Sequence, residues 1–439
     1  MVLRISIANR RSCWGAWANS ERYFAHVTTT RPEENGSATF SSLRVPTFRL
    51  FWWSGVYSYL GVQMQFLLRG LLAWDLTERE SGLGIVYLAF GVGLLVFTPI
   101  GGVLADRWAK RSLLVFGQGV IAVAAAGMGL AAVSGNARFW MLMVASLVQG
   151  AMFGLIGPAR VSTSADLVGR EQLGNAISLT SMSMSLTRLF APAAAGVLAG
   201  VATIGIGGAY LVASLFSVVS TLLTARLPRL EPTNPSRRNP LDEIWDGLRY
   251  VRSKPELRRL ILTTIVAIMI GFNYVAFLPA LVEGQLGLSE SHVGFLTTAS
   301  ALGAVLITAF VASRADGPSA EKLLVFCGIA FGIGVVLFGL APNYLSALLI
   351  VVVLGFATNG FMVLTSSRSM VISEDSHHGR VQSLMQLAWA GFGIAAAPLG
   401  AVAEVIGLRP TIVVMGVITF FVVVLYGISL SGVLVRTTK

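Results

Sequence analysis

The chain has 439 residues, of which 55% are hydrophobic and 12% charged, with a formal net charge of +11. A soluble domain carries about 25% charged residues, so a deficit of this size along the whole length excludes an ordinary soluble domain and points to a polytopic membrane protein. The two cysteines, Cys13 and Cys327, sit in a polar tail and in an apolar run, so no disulfide framework is expected; His26, His292, His377 and His378 are scattered and make no metal-ligand set.

Residues 1–45 are polar, basic and aperiodic. No apolar core of the kind a signal peptide needs follows the basic start, so this stretch is predicted to be a disordered cytoplasmic tail. Runs long enough to cross a bilayer, about 20 mostly apolar residues each, then follow in two sets of six. The first set is 49–74, 81–105, 112–133, 139–159, 176–201 and 207–226; the second is 258–281, 292–313, 322–341, 344–366, 380–405 and 409–433. This predicts an N-terminal bundle over 46–227, a linker over 228–256, a C-terminal bundle over 257–434 and a short cytoplasmic end at 435–439. The pairs Gly150/Gly154, Gly196/Gly200 and Gly328/Gly332 have the small-xxx-small spacing that lets membrane helices approach closely.

The linker is rich in proline and charge, with Pro228, Pro232, Pro235 and Pro240. Its last part, NPLDEIWDGLRYVRSKP, reads as a short amphipathic helix. Asn239 caps it, Pro240 opens it, Asp242 and Glu243 suit its positive end, and Pro255 stops it. Leu241, Ile244, Trp245, Leu248 and Val251 form one apolar face, predicted to lie on the inner membrane surface. With the N-terminus placed inside, 27 of the 32 Lys and Arg fall in inner segments, and only Arg79, Arg138 and Arg409 fall in outer loops. The positive charge is therefore a topology signal rather than a nucleic-acid footprint, and both termini are predicted to be cytoplasmic.

The stretch GGVLADRWAKR, Gly101–Arg111, lies at the predicted inner junction of the second and third spans. Here the chain resembles the major facilitator superfamily, whose motif in this loop is Gly-x-x-x-Asp-Arg/Lys-x-Gly-Arg/Lys-Arg/Lys. The matching positions are Gly102, Asp106, Arg107, Lys110 and Arg111, with Ala109 in place of the second glycine. The resemblance implies an all-α protein of twelve transmembrane helices, arranged as two pseudo-symmetric six-helix bundles. It implies that the Asp106 carboxylate meets the N-terminus of the eleventh helix, near Arg380–Ser383, as an inner gate latch, helped by the partial positive charge of a helix N-terminus. Arg107 and Arg111 would then neutralise neighbouring carboxylates, with Asp166 a candidate. The second-half counterpart, Ser313–Lys322, is degenerate.

The segments RVPTFRLFWWSG, QMQFLLRGLLAWDLT, GPARVSTSADLVGREQLGNAISL, DEIWDGLRYVRSKPELRRL and GRVQSLMQLAWAGFG look like the branch of the superfamily that contains the enterobactin exporters. That branch implies efflux of siderophores or amphipathic drugs in exchange for protons, from an inner-membrane protein with no cofactor. Ala191-Pro192 to Gly196 resembles the exporters' fifth-helix motif, with Ala397-Pro398 its counterpart in the eleventh helix. A monomer in the lipid bilayer with a small-molecule substrate is expected.

Ionisable groups inside a membrane are functional candidates. Arg188 falls near the middle of the fifth span, where an unpaired arginine costs about 2.5 kcal/mol or more, and no acidic residue lies at mid-depth. It is read either as the attractor of an acidic or catecholate-like substrate group or as a structural hydrogen-bond hub. Arg69 lies about 10 Å outward of the middle of the first span; it either reaches the surface or pairs with Glu283. Proton coupling needs a titrating carboxylate, and the candidates are Asp75, Glu283 and Glu404 near the outer ends and Asp106 at the inner end. Cavity-lining candidates are Gln63, Gln65, Gln118, Gln149, Asn273, Tyr274, Asn359, Gln386 and Trp389. No phosphate loop or hydrolase motif occurs, which argues against an ATP-driven pump and an enzyme. Uptake of a small metabolite, or a non-transporting receptor on the same scaffold, are the alternatives to efflux.

Overall fold

The computed structural model describes residues 40–228, 240–312, 320–374 and 377–437. Most of the expected tail, the linker residues 229–239 and the first seven residues of the degenerate motif (313–319) lie outside the described residues, as do the side chains of Asp106 and Gln386. The described chain is helical throughout. The short 3-10 turn Ser41–Arg44 precedes the first long helix and is fixed to the N-terminal bundle, the Ser42 N–H donating to Asn175 Oδ1 at 3.1 Å.

Six helices form the N-terminal half: α1 (Pro46–Thr77), α2 (Glu80–Arg107), α3 (Lys110–Val133), α4 (Phe139–Gly169), α5 (Gln172–Gly200) and α6 (Gly205–Ala225). The fourth and fifth run almost end to end. They separate at Gly169, whose φ of 72° and ψ of 173° suit glycine alone. The linker helix α7 (Pro240–Ser253) leads to the second half: α8 (Pro255–Met269), α9 (Glu290–Ala312), α10 (Ala320–Gly339), α11 (Tyr344–Ile372), α12 (His378–Ile406) and α13 (Leu408–Thr437). Eleven helices among the described residues are long and apolar enough to cross a membrane. The twelfth, α1, has the length, at 32 residues, but Gln63, Gln65 and Arg69 lower its hydropathy. They are tolerable because α1 is largely enclosed by its neighbours.

The two halves repeat one packing plan. In the first, α2 packs on α4 and α3 on α6; in the second, α9 packs on α11 and α10 on α13. The closest approaches also repeat. A Cβ at Gly150 would strike the Phe90 carbonyl, and one at Gly355 the Ser300 carbonyl. The paired glycines of the sequence are all packing positions: Gly154 lies on Thr98, Gly196 on Gly294, Gly200 on Ser291, Gly328 on Val423 and Gly332 on Phe420.

The halves meet through α2 with α12 and through α5 with α9. These contacts lie at the face opposite the linker helix, here called the far face. A Cβ at Gly84 would strike the Ala396 carbonyl, and one at Gly393 the Tyr87 carbonyl; one at Gly294 would lie 2.8 Å from the Pro192 carbonyl. The apolar core follows the same division. Toward the far face one core joins both halves, with Leu68, Leu71 and Tyr87 packed with Phe277, Leu281 and Phe392. At the linker face it splits into a cluster around Phe48, Leu113 and Leu155 in the first half and one around Val251, Leu257 and Val381 in the second. Among the described residues the apolar core is therefore shared by the halves at the far face and divided at the linker face.

The linker helix packs mainly on the second half, on α12 and α8, and also touches α2 of the first. A Cβ on its Gly247 would lie 3.2 Å from Arg380 Cβ at the start of α12, and Tyr250 stacks on His377 at 3.8 Å. Lys254 donates to Glu374 at 2.7 Å; that hydrogen bond raises the Lys254 ammonium and lowers the Glu374 carboxyl from their ordinary values. Trp245 and Leu248 remain exposed on the face the sequence marked as apolar.

Candidate functional site

The space between the halves ends, on its far side, at a roof of aromatic rings drawn from both bundles. Phe66 of α1 lies 5.2 Å from Tyr87 of α2, and Phe392 of α12 lies 5.6 Å from Tyr87 and 6.0 Å from Phe66. Phe272 adds an edge-to-face contact with Phe392 at 5.8 Å and one with Trp389 at 5.3 Å. Such tilted and edge-on pairs are the arrangement aromatic quadrupoles favour. Beside the roof lies a gap of about 40 Å³, bordered by Gln63, Leu67, Pro192, Val275 and Thr297. The sequence singled out Trp389 and Gln63 here and missed Phe66, Tyr87, Phe272 and Phe392. A phenylalanine in an apolar span carries no signal of which way it faces.

The seventh span is not one helix. After α8 it continues as a 3-10 segment, Gly271–Phe277, where the span ends, and a π turn, Ala280–Gln285, follows outside it. A broken span of this kind in a two-bundle membrane protein marks the region of a binding site. Asn273 lies in the break and is fully buried. Its Nδ2 donates to the Phe392 carbonyl at 3.0 Å and to the Met269 carbonyl at 2.5 Å, leaving Oδ1 with no partner. Tyr274 is buried beside it, its hydroxyl 3.5 Å from Ser300 Oγ.

Arg188 stands on α5 deep among protein atoms, yet its side chain is exposed. It sits one turn before Pro192, which borders the gap beside the roof, so the two share the helix face turned to the space between the halves. It has no hydrogen-bond or ion-pair partner among the described residues. On the same helix Met184, Ser185 and Ser181, a turn or two back, are exposed as well, giving the arginine an adaptable apolar and hydroxyl-bearing strip. Asn359, on α11, donates to the Ala304 carbonyl at 2.9 Å and so serves helix packing.

Arg69 does not reach Glu283 or the surface. It is 1% exposed and turns into the N-terminal bundle, where it donates to Gln149 Oε1 and lies over Phe66, Tyr87 and Phe90. Gln65 donates to Ser217 at 3.4 Å, and Gln118 accepts from Thr224 at 2.9 Å; both tie helices of one bundle together and stay out of the central space.

At the linker face, Lys110 rather than Arg107 or Arg111 meets Asp166, at 2.5 Å, and links the start of α3 to the end of α4. Its position as the first residue of α3 brings its chain alongside α4, whereas Arg107 is exposed. Gly102 has open space where a Cβ would stand. At the far face, Glu404 accepts from the Ser81 hydroxyl at 2.6 Å and from the Ser81 N–H at 3.4 Å. Ser81 lies in the first turn of α2, so a carboxylate from the end of α12 caps the N-terminus of α2 across the two halves. Asp75 is exposed near Glu283. Glu283 lies just beyond the span that ends at Phe277, with a buried Oε1 that has no partner. Burial first, and then the nearby charges of Glu290 and Asp75, push its carboxyl up to about 8.

Two pseudo-symmetric six-helix bundles, joined at one face around an internal space with polar and aromatic walls, are the architecture of a secondary transporter. A family profile described as transmembrane secretion effector matches residues 37–432, and the chain belongs to that family of the major facilitator superfamily. The enterobactin exporter EntS of Shigella flexneri is 26% identical over 328 residues, covering 74% of this chain and 76% of that protein. EntS of Escherichia coli O81 (strain ED1a) matches to the same extent. Among solved structures, a bacterial homologue of the human lysosomal transporter Spinster, inward-facing and unoccupied, superposes with a TM-score of 0.68 at 15% identity, over 89% of this chain and 97% of that one. The human organic anion transporter MFSD10 gives a TM-score of 0.62 at 16% identity, over 87% and 99%. These likenesses establish the fold. Family and fold make the chain a multi-pass membrane transporter of a small molecule rather than an enzyme.

Proposed function

We propose that the protein exports an anionic, amphipathic small molecule of siderophore type across the inner membrane by alternating access, in exchange for protons. The observation that carries this reading is Arg188: an exposed cation with no partner among the described residues, on the α5 face that carries Pro192 beside the gap between the halves. An exposed guanidinium there recognises a carboxylate, a phenolate or a catecholate by charge-assisted hydrogen bonds, while Trp389 and the aromatic roof supply surfaces for the apolar part of the ligand. The names of the relatives, enterobactin exporters, agree in substrate class and in direction. The linker face is the cytoplasmic one, because the basic residues gather there. On this orientation the structure is open toward the cytoplasm, ready to load cargo for export. Glu283 and Asp75, at the opposite face, are the proposed proton-exchanging groups, and Asp106 is the proposed latch that closes the cytoplasmic side against the start of α12.

The test is uptake of a labelled catecholate siderophore into inverted membrane vesicles with an acid-inside gradient. Accumulation is expected for the native chain. Arg188→Ala should insert normally and bind the ligand about tenfold more weakly or worse, a loss of about 1.4 kcal/mol. Accumulation of lipophilic cations that Arg188→Ala leaves intact would replace the anionic substrate with a drug-like one. In the same assay Asp106→Asn should lower transport and raise the reactivity of cysteines placed at the linker face; unchanged transport would remove the latch.

A further inference from the structure

Inside the N-terminal bundle, away from the space between the halves, a small cavity is enclosed by α1, α3, α4 and α6. Three side chains with orphaned polar atoms meet at it. Arg69 leaves Nη1 without a partner, Gln149 leaves Nε2, and Ser146 leaves Oγ, and all three atoms are buried. The residues are 1%, 4% and 2% exposed. Buried polar atoms of this kind are rare and require an explanation.

The orphaned nitrogens are donors, and Gln65 and Tyr210, with an amide oxygen and a hydroxyl, also border the cavity. A guanidinium only donates, so Gln149 must give Arg69 its oxygen, and its amide nitrogen is left as a second donor. Ser146 brings a hydroxyl that can donate. Phe66, Tyr87 and Phe90 lie 5.7, 5.7 and 4.5 Å from the guanidinium carbon. Their faces spread the positive charge but offer no lone pair to Nη1. No carboxylate pairs with Arg69 among the described residues. A buried arginine with an orphaned Nη1 and no carboxylate partner among the described residues is best satisfied by an acceptor with negative charge. The cavity holds about 10 Å³, room for roughly one water-sized particle; a carboxylate or a phosphate is far too large, and a monatomic halide, somewhat larger than water, requires the lining side chains to give slightly.

We propose that the N-terminal bundle carries a resident halide, chloride in the cell, held by Arg69, Gln149 and Ser146. The ion neutralises Arg69 and ties α1, whose Phe66 forms part of the roof, to α4. This site goes beyond the transport reading and does not depend on what the protein exports.

The experiment is thermal unfolding of the purified full chain in sodium chloride, sodium bromide and sodium gluconate at equal ionic strength, so that general screening is constant. A ligand of the native state raises the melting temperature saturably with its concentration. The expected result is such a rise with chloride and with bromide over gluconate, lost in Gln149→Leu. Ser146→Ala removes one small hydroxyl and keeps the test valid if Gln149→Leu fails to fold; it should raise the half-saturating chloride concentration severalfold. Equal melting of the native chain in all three salts would overturn the site and leave a water molecule in the cavity. A halide response that Ser146→Ala leaves unchanged would overturn it as well.

Discussion

Arg69 and Arg188 are both arginines within membrane-spanning helices, and their surroundings separate their roles. Arg69 is enclosed by rings and an amide, while Arg188 is exposed and has no partner among the described residues. The sequence placed Arg188 near mid-span and Arg69 about 10 Å outward, reaching the surface or Glu283; it missed the actual partners of Arg69 because they come from other helices. Gln149 was marked as a polar residue in a span; nothing in its neighbours along the chain pairs it with a residue 80 positions earlier. Glu283 carries a prediction at this scale. Its carboxyl is pushed up to about 8 in the closed far face, against an ordinary value of 4.5 once water reaches it. The closed state therefore holds a proton that the open state releases between those two values. Lowering the pH through that window should favour the closed far face, and raising it should favour opening. Reactivity of a cysteine placed at the far face, followed against pH, should fall as the medium is acidified. Glu283→Gln should flatten the dependence; an unaltered slope in that variant would contradict the assignment to Glu283.

Among the elements, α2 records the conformational state most directly. Its far-face glycine, Gly84, is wedged against α12, while Gly102 of the loop motif has open space around it. Gly84→Ala should push the halves apart at the far face. Overpacking of a tight contact costs about 1–3 kcal/mol, so the ratio of open to closed far face should rise on the order of 5- to 150-fold. Gly102→Ala should leave the present state undisturbed and hinder only closure of the linker face. Cross-linking of cysteine pairs between α2 and α12, one pair near each face, distinguishes the two variants; identical patterns would contradict the assignment of the faces. The helices themselves were plain from hydropathy, and their limits in the structure mostly extend the predicted ones by a few residues as polar ends continue past the membrane-length core. Two features were not plain. The glutamines and Arg69 of α1 are turned inward and so depress its hydropathy without preventing a span. The 3-10 and π segments after α8 arise where Asn273 bonds to the α12 backbone, a tertiary contact that leaves no local mark in an apolar run.

For the molecule as a whole, the division into two bundles and the position of the loop motif could be read from run lengths and charge placement, since both reflect the cost of polar groups in lipid. The state of the transporter could not, because open and closed forms share every helix and differ only in which ends touch. That state is the core of the account: the halves hold together at the far face through Glu404 with Ser81, the wedged glycines and the aromatic roof, and part at the linker face. The most direct measurement is a pair of spin-label distances on a background lacking Cys13 and Cys327. One pair, at Asn136 and Pro342, spans the far face; the other, at Arg226 and Lys322, spans the linker face. Alternating access predicts that, on adding transported ligand or shifting the pH, one distance lengthens while the other shortens. Two distances that stay fixed, or that lengthen together, would contradict it.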